Sequence, residues 1–578
     1  MAESIISPGV YTRENDISFI QPAPIAAGAA FIGPTVKGPV KQPTVVTSYN
    51  EYVRKFGTVF QSGSGNHEFF TSMAVRNYFG QGGQTALITR VVSGAYDPAT
   101  STHISSSIHD SDQPFVLKTL GQGVIYNNAT SSLHAIENDN YLNTDGSLIS
   151  GSADNLRWEI ANRNNELGTF SLLIRRGDDN SNNKVILETF NNVSLDPNSD
   201  NYIERVVGNQ ELTFDGSVNR VTGEYPNRSN YIRVSAVNLP TLNYLGTDGL
   251  TVNVDADGIS YSASLPAVTS GSFYNAAGDV KAGANLYQNI SEQTQGLVAD
   301  NYTDAITLLG NKDEYQFNII AAPGLTDIHH GTEVDSLIAL AEERGDCIAV
   351  IDLVGHGDSV ADVATEAAGQ NSSYAATYWP WVQLQSAANK AVWAPASVVI
   401  PGVYAFTDNA SAPWFAPAGL VRGGIPGVIQ TELKLTKAQR DTLYAAKVNP
   451  IATFPGTGIS IMGQKTLQTK ASALDRVNVR RLLIELKKFI GDQARNLVFE
   501  QNTIATRNRF LATVNPYLES VVQRQGLYAY RVIMDDTNNT ADVVDRNQLV
   551  GQIFIQPTKT VEFVVLDFTI EPTGATFA

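Results

Sequence analysis

Residues Asn449 to Glu500 read NPIATFPGTGISIMGQKTLQTKASALDRVNVRRLLIELKKFIGDQARNLVFE. A glycine-rich loop leads into the strongest helix signal in the chain. From Val479, apolar residues recur at Leu482, Leu483, Leu486, Ile490, Ala494 and Leu497, the spacing of a helix that buries one stripe. The pattern predicts a helix starting near Ala473. Arg476, Arg480, Arg481, Lys487, Lys488 and Arg495 lie off the stripe. They are either solvated charges on a core helix or a basic face that meets an acidic partner. Gly458–Gly463 has the span of a phosphate-binding loop. However, Gln464 stands where that motif needs lysine, and Lys465 and Thr466 come one position late. Lys470–Ser472 then separate the loop from the helix. The lysine would miss phosphates held at the helix N-terminus, so no nucleotide site is expected.

The 578 residues allow roughly two to four domains. With 43% hydrophobic and 17% charged residues the chain is globular. Its net charge of -17 argues against a general nucleic-acid binder. From Glu432 to Arg531 there are sixteen basic and seven acidic residues, an excess of nine, which leaves -26 on the rest. One basic module thus sits in an acidic protein. It lacks the basic–aromatic interleave of a nucleic-acid groove, and an acidic protein surface or a second copy explains it as well. No apolar run is long enough to span a membrane, and the N-terminus has no signal-peptide pattern, so membrane insertion and export are not expected. The single cysteine, Cys347, lies in the apolar run to Asp352 and reads as a core residue.

Outward from that stretch, residues 1–25 read as an extended arm. Pro8, Gly9, Pro22 and Pro24 exclude a helix, while Val10, Tyr11, Ile17 and Phe19 offer strand-forming side chains. Residues 26–95 read as α/β: strands at Ala29–Gly33 and Thr85–Val92, a short helix Tyr52–Phe56 after Ser48, and a helix His67–Phe79. Residues 96–304 are rich in Ser, Asn, Asp and Gly with short alternating strands. They include a hairpin of Phe170–Ile174 with Lys184–Thr189, and strands Tyr231–Val237 and Leu250–Val254. Residues 305–430 return to α/β: strand Gln316–Ala321, helix Thr332–Arg344 with Thr332 and Asp335 spaced as a capping box, strand Cys347–Leu353, strand Trp393–Pro401, then loops. Residues 431–555 hold the helix Thr436–Val448, the central helix and a strand Leu527–Met534. Residues 556–578 end in strand material, with Val564, Leu566, Phe568 and Ile570 on one side.

Three constellations bear on catalysis. His329, His330 and Glu333 are close in sequence, but the two histidines are adjacent, precede the helix and do not share a face as metal ligands at i and i+4 would. Gly355-His-Gly-Asp358 follows a strand end, where α/β folds bind ligands, yet no nucleophile elbow accompanies it. Asp535–Asp545 lacks the central glycine and closing glutamate of a calcium loop. Loop and turn roles are expected for all three: no catalysis, no cofactor and no metal.

Several motifs in order resemble the contractile tail sheath proteins of bacteriophages, in the T4-like branch of myoviruses. They are Ser7-Pro-Gly-Val-Tyr11 with Glu14 and Asp16; Ile400-Pro-Gly-Val-Tyr404, Pro413-Trp-Phe415 and Arg422-Gly423; Asn449-Pro-Ile451, Pro455-Gly-Thr-Gly458 and Asn478-Val-Arg-Arg-Leu-Leu483; and Asn538-Asn-Thr540 before a valine-rich finish. Trp158–Gln210 resembles that branch's outer domain. The resemblance implies a multidomain α+β and α/β fold, with a discontinuous sheath core formed by both ends of the chain, inserted β-rich outer domains and extended terminal arms. It implies self-association as six-fold rings in a helical sheath, and partnership with a tail tube protein and with baseplate and tail terminator proteins. It places the protein in the virion tail, assembled in the bacterial cytoplasm, where irreversible contraction drives the tube through the host envelope for genome ejection. Arg480, Arg481, Lys487 and Lys488 are then expected to face the tube or a neighbouring subunit. Two alternatives are the sheath of a genome-less, tailocin-like injection device, and a hydrolase or adhesin on the α/β core.

Overall fold

The computed structural model describes residues 28–63, 65–105, 113–126, 142–149, 151–216, 218–280, 285–456 and 458–562, with the backbone of Ile25–Ala26. The expected arm residues Val10, Tyr11, Ile17, Phe19, Val564, Leu566, Phe568 and Ile570 lie outside the described residues.

Mostly apolar runs of five residues build the core. Ala29–Gly33, Ala86–Arg90, Ile348–Asp352 and Ala375–Trp379 are buried at every position, as strands covered on both faces must be. They belong to one eight-stranded sheet in the order Gly458–Ile461, Asn449–Phe454, Ala375–Trp379, Ile348–Asp352, Ile319–Thr326, Ala29–Gly33, Ala86–Arg90, Thr44–Val46. The six inner strands pair in parallel, and each edge strand is antiparallel. Segments from both halves of the chain therefore interleave in one sheet. Helix Phe70–Gly80 packs on helix Ile400–Ala410, so closely that a Cβ on Gly402 would lie 3.0 Å from the Asn77 carbonyl oxygen.

Between Arg90 and the return to this sheet lies a seven-stranded sheet. Its order is Ile186–Ser194, Thr169–Arg176, Leu156–Asn164, Ser270–Tyr274, Pro98–Ser101, Phe115–Gln122, Ile232–Val237, all antiparallel. Phe115–Gln122 alternates buried and half-buried residues, the signature of a sheet with one covered face. It has its own apolar cluster around Trp158, Phe115 and Phe170. A third cluster joins the helices Val477–Arg495 and Ile504–Gln523 to a two-stranded sheet, Leu527–Ile533 with Gln552–Pro557.

Several elements differ from expectation. The helix expected from His67 starts at Phe70, because His67 pairs with Phe60 in a hairpin. Leu250–Val254 is no strand: Asp248 accepts hydrogen bonds from the Leu250 and Thr251 N–H groups and turns the chain. Strand Ile319–Thr326 runs on through Pro323-Gly324, and the helix after it begins at Asp327. The Thr332–Asp335 capping box therefore does not form. The strand expected over Trp393–Pro401 ends at Ala394, and Ile400–Ala410 is helix, with Pro401 inside its first turn where a missing N–H costs nothing. The central α-helix starts at Val477, after a short 3₁₀ turn at Ala473–Asp475.

Candidate functional site

The central helix lies between two cores. Leu482 and Leu486 pack into the C-terminal cluster, while Val477 and Ile484 join the core of the main sheet. That leaves little free circumference for a basic face. Arg480 and Arg481 are each 4% exposed, which corrects the expectation that they face a tube or a neighbour. Arg480 lies 3.9 Å over the Tyr374 ring and donates to the Ser373 hydroxyl at 2.5 Å and carbonyl at 3.2 Å. Burial lowers its pKa. Arg481 donates to both Asp408 carboxylate oxygens at 2.7 and 2.5 Å and lies 4.6 Å over Tyr404, whose hydroxyl hydrogen-bonds Tyr378 at 2.7 Å. Lys488 is half-buried and donates to Asn318 Oδ1 at 3.3 Å. Lys487 is exposed, though it reaches the Tyr374 hydroxyl at 3.0 Å. An arginine stem can lie along apolar surface while its planar fork finds donors' partners inside. The four cations thus tie the C-terminal helix to the main sheet module.

Sequence reading overlooked a site at the start of this helix. Backbone pairing sets it up: Thr466 N–H donates to Asp475 and Val477 N–H to Gln464, so Gln464 and Arg476 stand side by side. Glu562, the last described residue, lies between them. It accepts from Arg476 Nε and Nη2 at 2.6 and 3.1 Å, from the Tyr444 hydroxyl at 2.7 Å and from Gln464 Nε2 at 3.3 Å. Gln464 also donates to the Thr560 hydroxyl. Burial pushes the Glu562 carboxyl up, but the hydrogen bonds from Arg476 and Tyr444 outweigh it and hold the pKa below the ordinary range. A groove of about 980 Å³ opens beside this clamp, lined by Trp414, Phe415, Arg422, Tyr444, Tyr528 and the Thr558–Glu562 strand exit among others. A signal was present: Glu562 is the one carboxylate in Thr560–Leu566, and Arg476 places a cation at a helix N-terminus, where the macrodipole disfavours it.

The constellations weighed for chemistry are otherwise engaged. His330 is 2% exposed and its Nδ1 accepts from the Thr326 N–H at 3.0 Å; burial lowers its pKa. Burial also raises the pKa of Glu333. The His356 ring sits 5.8 Å from Trp381 and 5.1 Å from Trp393, with Nε2 3.8 Å from Glu432. Glu432 accepts from the Gly357 N–H at 2.5 Å, and Asp358 from Gly355 at 2.8 Å, which closes the loop on itself. Lys465 turns away from the Gly458–Gly463 hairpin, donates to the Tyr444 carbonyl at 2.7 Å and lies 4.1 Å over its ring. Burial pushes the Cys347 thiol up to about 12. Asp535 accepts from Thr537 N–H at 2.9 Å in an Asx turn. Among the described residues no group of three or more His, Cys, Asp or Glu side chains is placed to hold a metal ion, and no helix is long and apolar enough to cross a membrane.

Residues 295–467 match the phage tail sheath protein central domain, and residues 469–571 match the phage tail sheath C-terminal domain. The chain is 42% identical over 186 residues to the tail sheath protein of Vibrio phage KVP40, and 40% identical over 185 residues to that of Enterobacteria phage T4. In each case the match covers 32% of this chain and 28% of the relative, so it spans under a third of those proteins' length. The crystal structure of a sheath tail protein from Listeria innocua superposes with a TM-score of 0.51 over 92% of this chain and 95% of that one, at 9% identity, which speaks for a shared fold. Residues 295–467 and 469–571 thus carry the central and C-terminal domains of phage tail sheath proteins.

Proposed function

We propose that the chain is a structural subunit of a contractile tail sheath, polymerising as stacked six-fold rings around a tail tube and acting by mechanics rather than catalysis. The observation that carries this reading is the pair of adjoining sheath domains over residues 295–571. A second support is the two-stranded sheet Leu527–Ile533 and Gln552–Pro557. Neither of its outer edges is paired among the described residues, and Tyr528 and Phe554 on it are 67% and 54% exposed. Open edges of this kind accept added strands. In this reading residues 1–25 and 556–578 are linking arms, and Val10, Tyr11, Ile17, Phe19, Val564, Leu566, Phe568 and Ile570 supply the strands that neighbouring copies take up. Residues 96–304 form the outward part.

Main-chain bonds in such a mesh survive while subunits slide past one another. Contraction is then a one-way passage from a kinetically held lattice to a more stable one. The tail tube, a baseplate and a tail terminator are the partners, the virion tail is the setting, and genome ejection through the host envelope is the outcome. Of the four basic residues, Lys487 is the one carried forward as facing a neighbour or the tube. Negative-stain electron microscopy of the full chain, and of a chain lacking residues 1–20, tests the reading. Tubes or rings from the full chain that are lost on truncation are expected; discrete monomers from both would overturn it.

A further inference from the structure

One helix touches the points from which both ends of the described chain depart. At its N-terminal end Arg476 grips Glu562 with two bonds, of 2.6 and 3.1 Å. Twelve residues on, Lys488 donates to Asn318 Oδ1 at 3.3 Å. The Asn318 backbone N–H in turn donates to the Gly28 carbonyl at 3.2 Å. Gly28 lies just after Ile25–Ala26, which pair in parallel with Tyr315–Gln316. Its own N–H donates to Thr85 at 3.0 Å, and a Cβ there would fall 2.2 Å from the Tyr78 hydroxyl. A helical rise of 1.5 Å per residue sets Arg476 and Lys488 about 18 Å apart along the axis.

Arg476 does not serve its own helix. It is the N-cap residue, its side chain makes no capping bond, and its charge opposes the macrodipole. Asp475 offsets part of that charge at 3.0 Å. What the position does provide is a planar fork aimed at Glu562, with Tyr444 and Gln464 filling the remaining lone pairs of the carboxylate.

The geometry points to the helix Val477–Arg495 as a strut that fixes the separation of the two arm roots, with Arg476–Glu562 as the joint at its start and Lys488–Asn318 as a second joint about two turns before its end. This rests on the sheath reading, in which the segments beyond both roots join neighbouring copies. A root that is already ordered spares assembly the entropy of ordering it, and a fixed spacing sets which edges the two arms reach. Arg476 is a positioning residue in this scheme.

The test uses the full chain. The concentration at which tubes or rings form is measured by sedimentation and electron microscopy for wild type, Arg476→Glu, Glu562→Arg and the exchanged pair, beside the melting temperature of the unassembled protein. Arg476→Glu is expected to need about tenfold more protein to assemble. Its melting temperature should hold, because a glutamate suits a helix N-terminus. The exchanged pair should recover most of the loss, which no single change of charge would do. Assembly of Arg476→Glu at the wild-type concentration, or an exchanged pair as poor as the single variants, would overturn the strut while leaving the sheath reading intact. If Arg476→Glu melts early, Arg476→Gln replaces it under the same criteria. Absence of any assembly from wild type is a separate outcome, and it would remove the sheath reading together with the strut.

Discussion

The main sheet and the seven-stranded inserted sheet hold together by different means. In the main sheet, strands such as Ala29–Gly33 and Ile348–Asp352 are buried along their whole length, and the apolar side chains do nearly all the packing. The inserted sheet buries one face and adds an internal ion network. Arg157 and Arg175 are 1% and 2% exposed, and both bind the fully buried Asp179, at 3.1 Å and at 2.7 and 2.8 Å. Arg175 also reaches Glu159 at 2.7 Å, which Lys184 closes from outside at 2.7 Å. Apolar packing degrades gradually as methylenes are removed. A buried charge set fails at once when one member is lost, because its partners keep their desolvation cost. The inserted sheet is therefore the more brittle of the two, although its strands are the longer.

The sharpest way to break this comparison is Asp179→Ala. It should cost about 3–5 kcal/mol by removing the carboxylate that buried Arg157 and Arg175 share, which Glu159 replaces in part at Arg175 alone. Hydrogen exchange should show amides of Leu156–Ser194 losing protection while those of Ile348–Asp352 keep theirs. Equal loss in both regions would mean the two sheets unfold as one unit. In the main sheet, Ile320→Ala should cost about 2–4 kcal/mol through a cavity, and calorimetry should show the main transition lowered.

Two charged side chains are buried on the strands Ala86–Arg90 and Ile348–Asp352 of the main sheet: Arg90, which donates to the Gly38 and Gln122 carbonyls, and Asp352, a carboxylate whose partners are the Ser397 N–H, at 3.1 Å, and the Ser397 hydroxyl. Burial pushes the Asp352 pKa up to about 7, against the hydrogen bonds from Ser397. A raised carboxyl pKa means that the folded state holds the proton more tightly. Its contribution is complete below the ordinary carboxylate range and is lost as pH rises through 7. Asp352→Asn keeps the hydrogen-bonding shape without titrating. It should match wild type at pH 4 and be more stable by about 1–2 kcal/mol at pH 8. Parallel denaturation curves at the two pH values decide this, and an unchanged difference between them would remove the buried charge from the account. The smallest effect is expected at Lys487→Glu, within about 0.5 kcal/mol in the same unfolding experiment.

Ala29–Gly33, Ala86–Arg90 and Ile348–Asp352 were legible because a mostly apolar run of five bounded by glycine, proline or polar residues has few other uses, whereas Ala375–Trp379, Asn449–Phe454 and Gly458–Ile461 were not, since Thr377, Pro450 and Gly458 break or border their apolar runs. Helix Tyr49–Phe56 was legible through Ser48, whose side chain accepts from Glu51 N–H, and helix Lys437–Ala445 through its Thr436–Gln439 capping box. Helix Ile504–Gln523 escaped notice: Pro516 sits inside it, and its buried positions, Phe510, Val514, Leu518 and Val521, are diluted by Asn, Thr and Arg. Ile400–Ala410 escaped because Pro401 and Gly402 look like a break. At the Glu562 clamp local pattern marks Arg476 and Glu562 as unusual but not that they meet, and the inward turn of Arg480 and Arg481 could not be read from it at all. Their partners Ser373, Tyr374, Tyr404 and Asp408 lie 73–107 residues upstream, and a charge at a helical position reads as solvent-facing until its tertiary partner is known.

The interleaving of the main sheet has a consequence for how the chain is made. Ala29–Gly33 pairs with Ile319–Thr326, which leaves the ribosome about 285 residues later. At roughly 5–20 residues per second that is a wait of about 15–60 s. Thr44–Val46 and Ala86–Arg90 can cover one side of the first strand meanwhile. Its other edge stays open, and an open apolar edge invites pairing with another nascent chain. The inserted sheet has every strand it needs by Tyr274, so it can finish folding before the main sheet closes. On a polysome crowded with identical chains, the first apolar strand is the segment most in need of a chaperone.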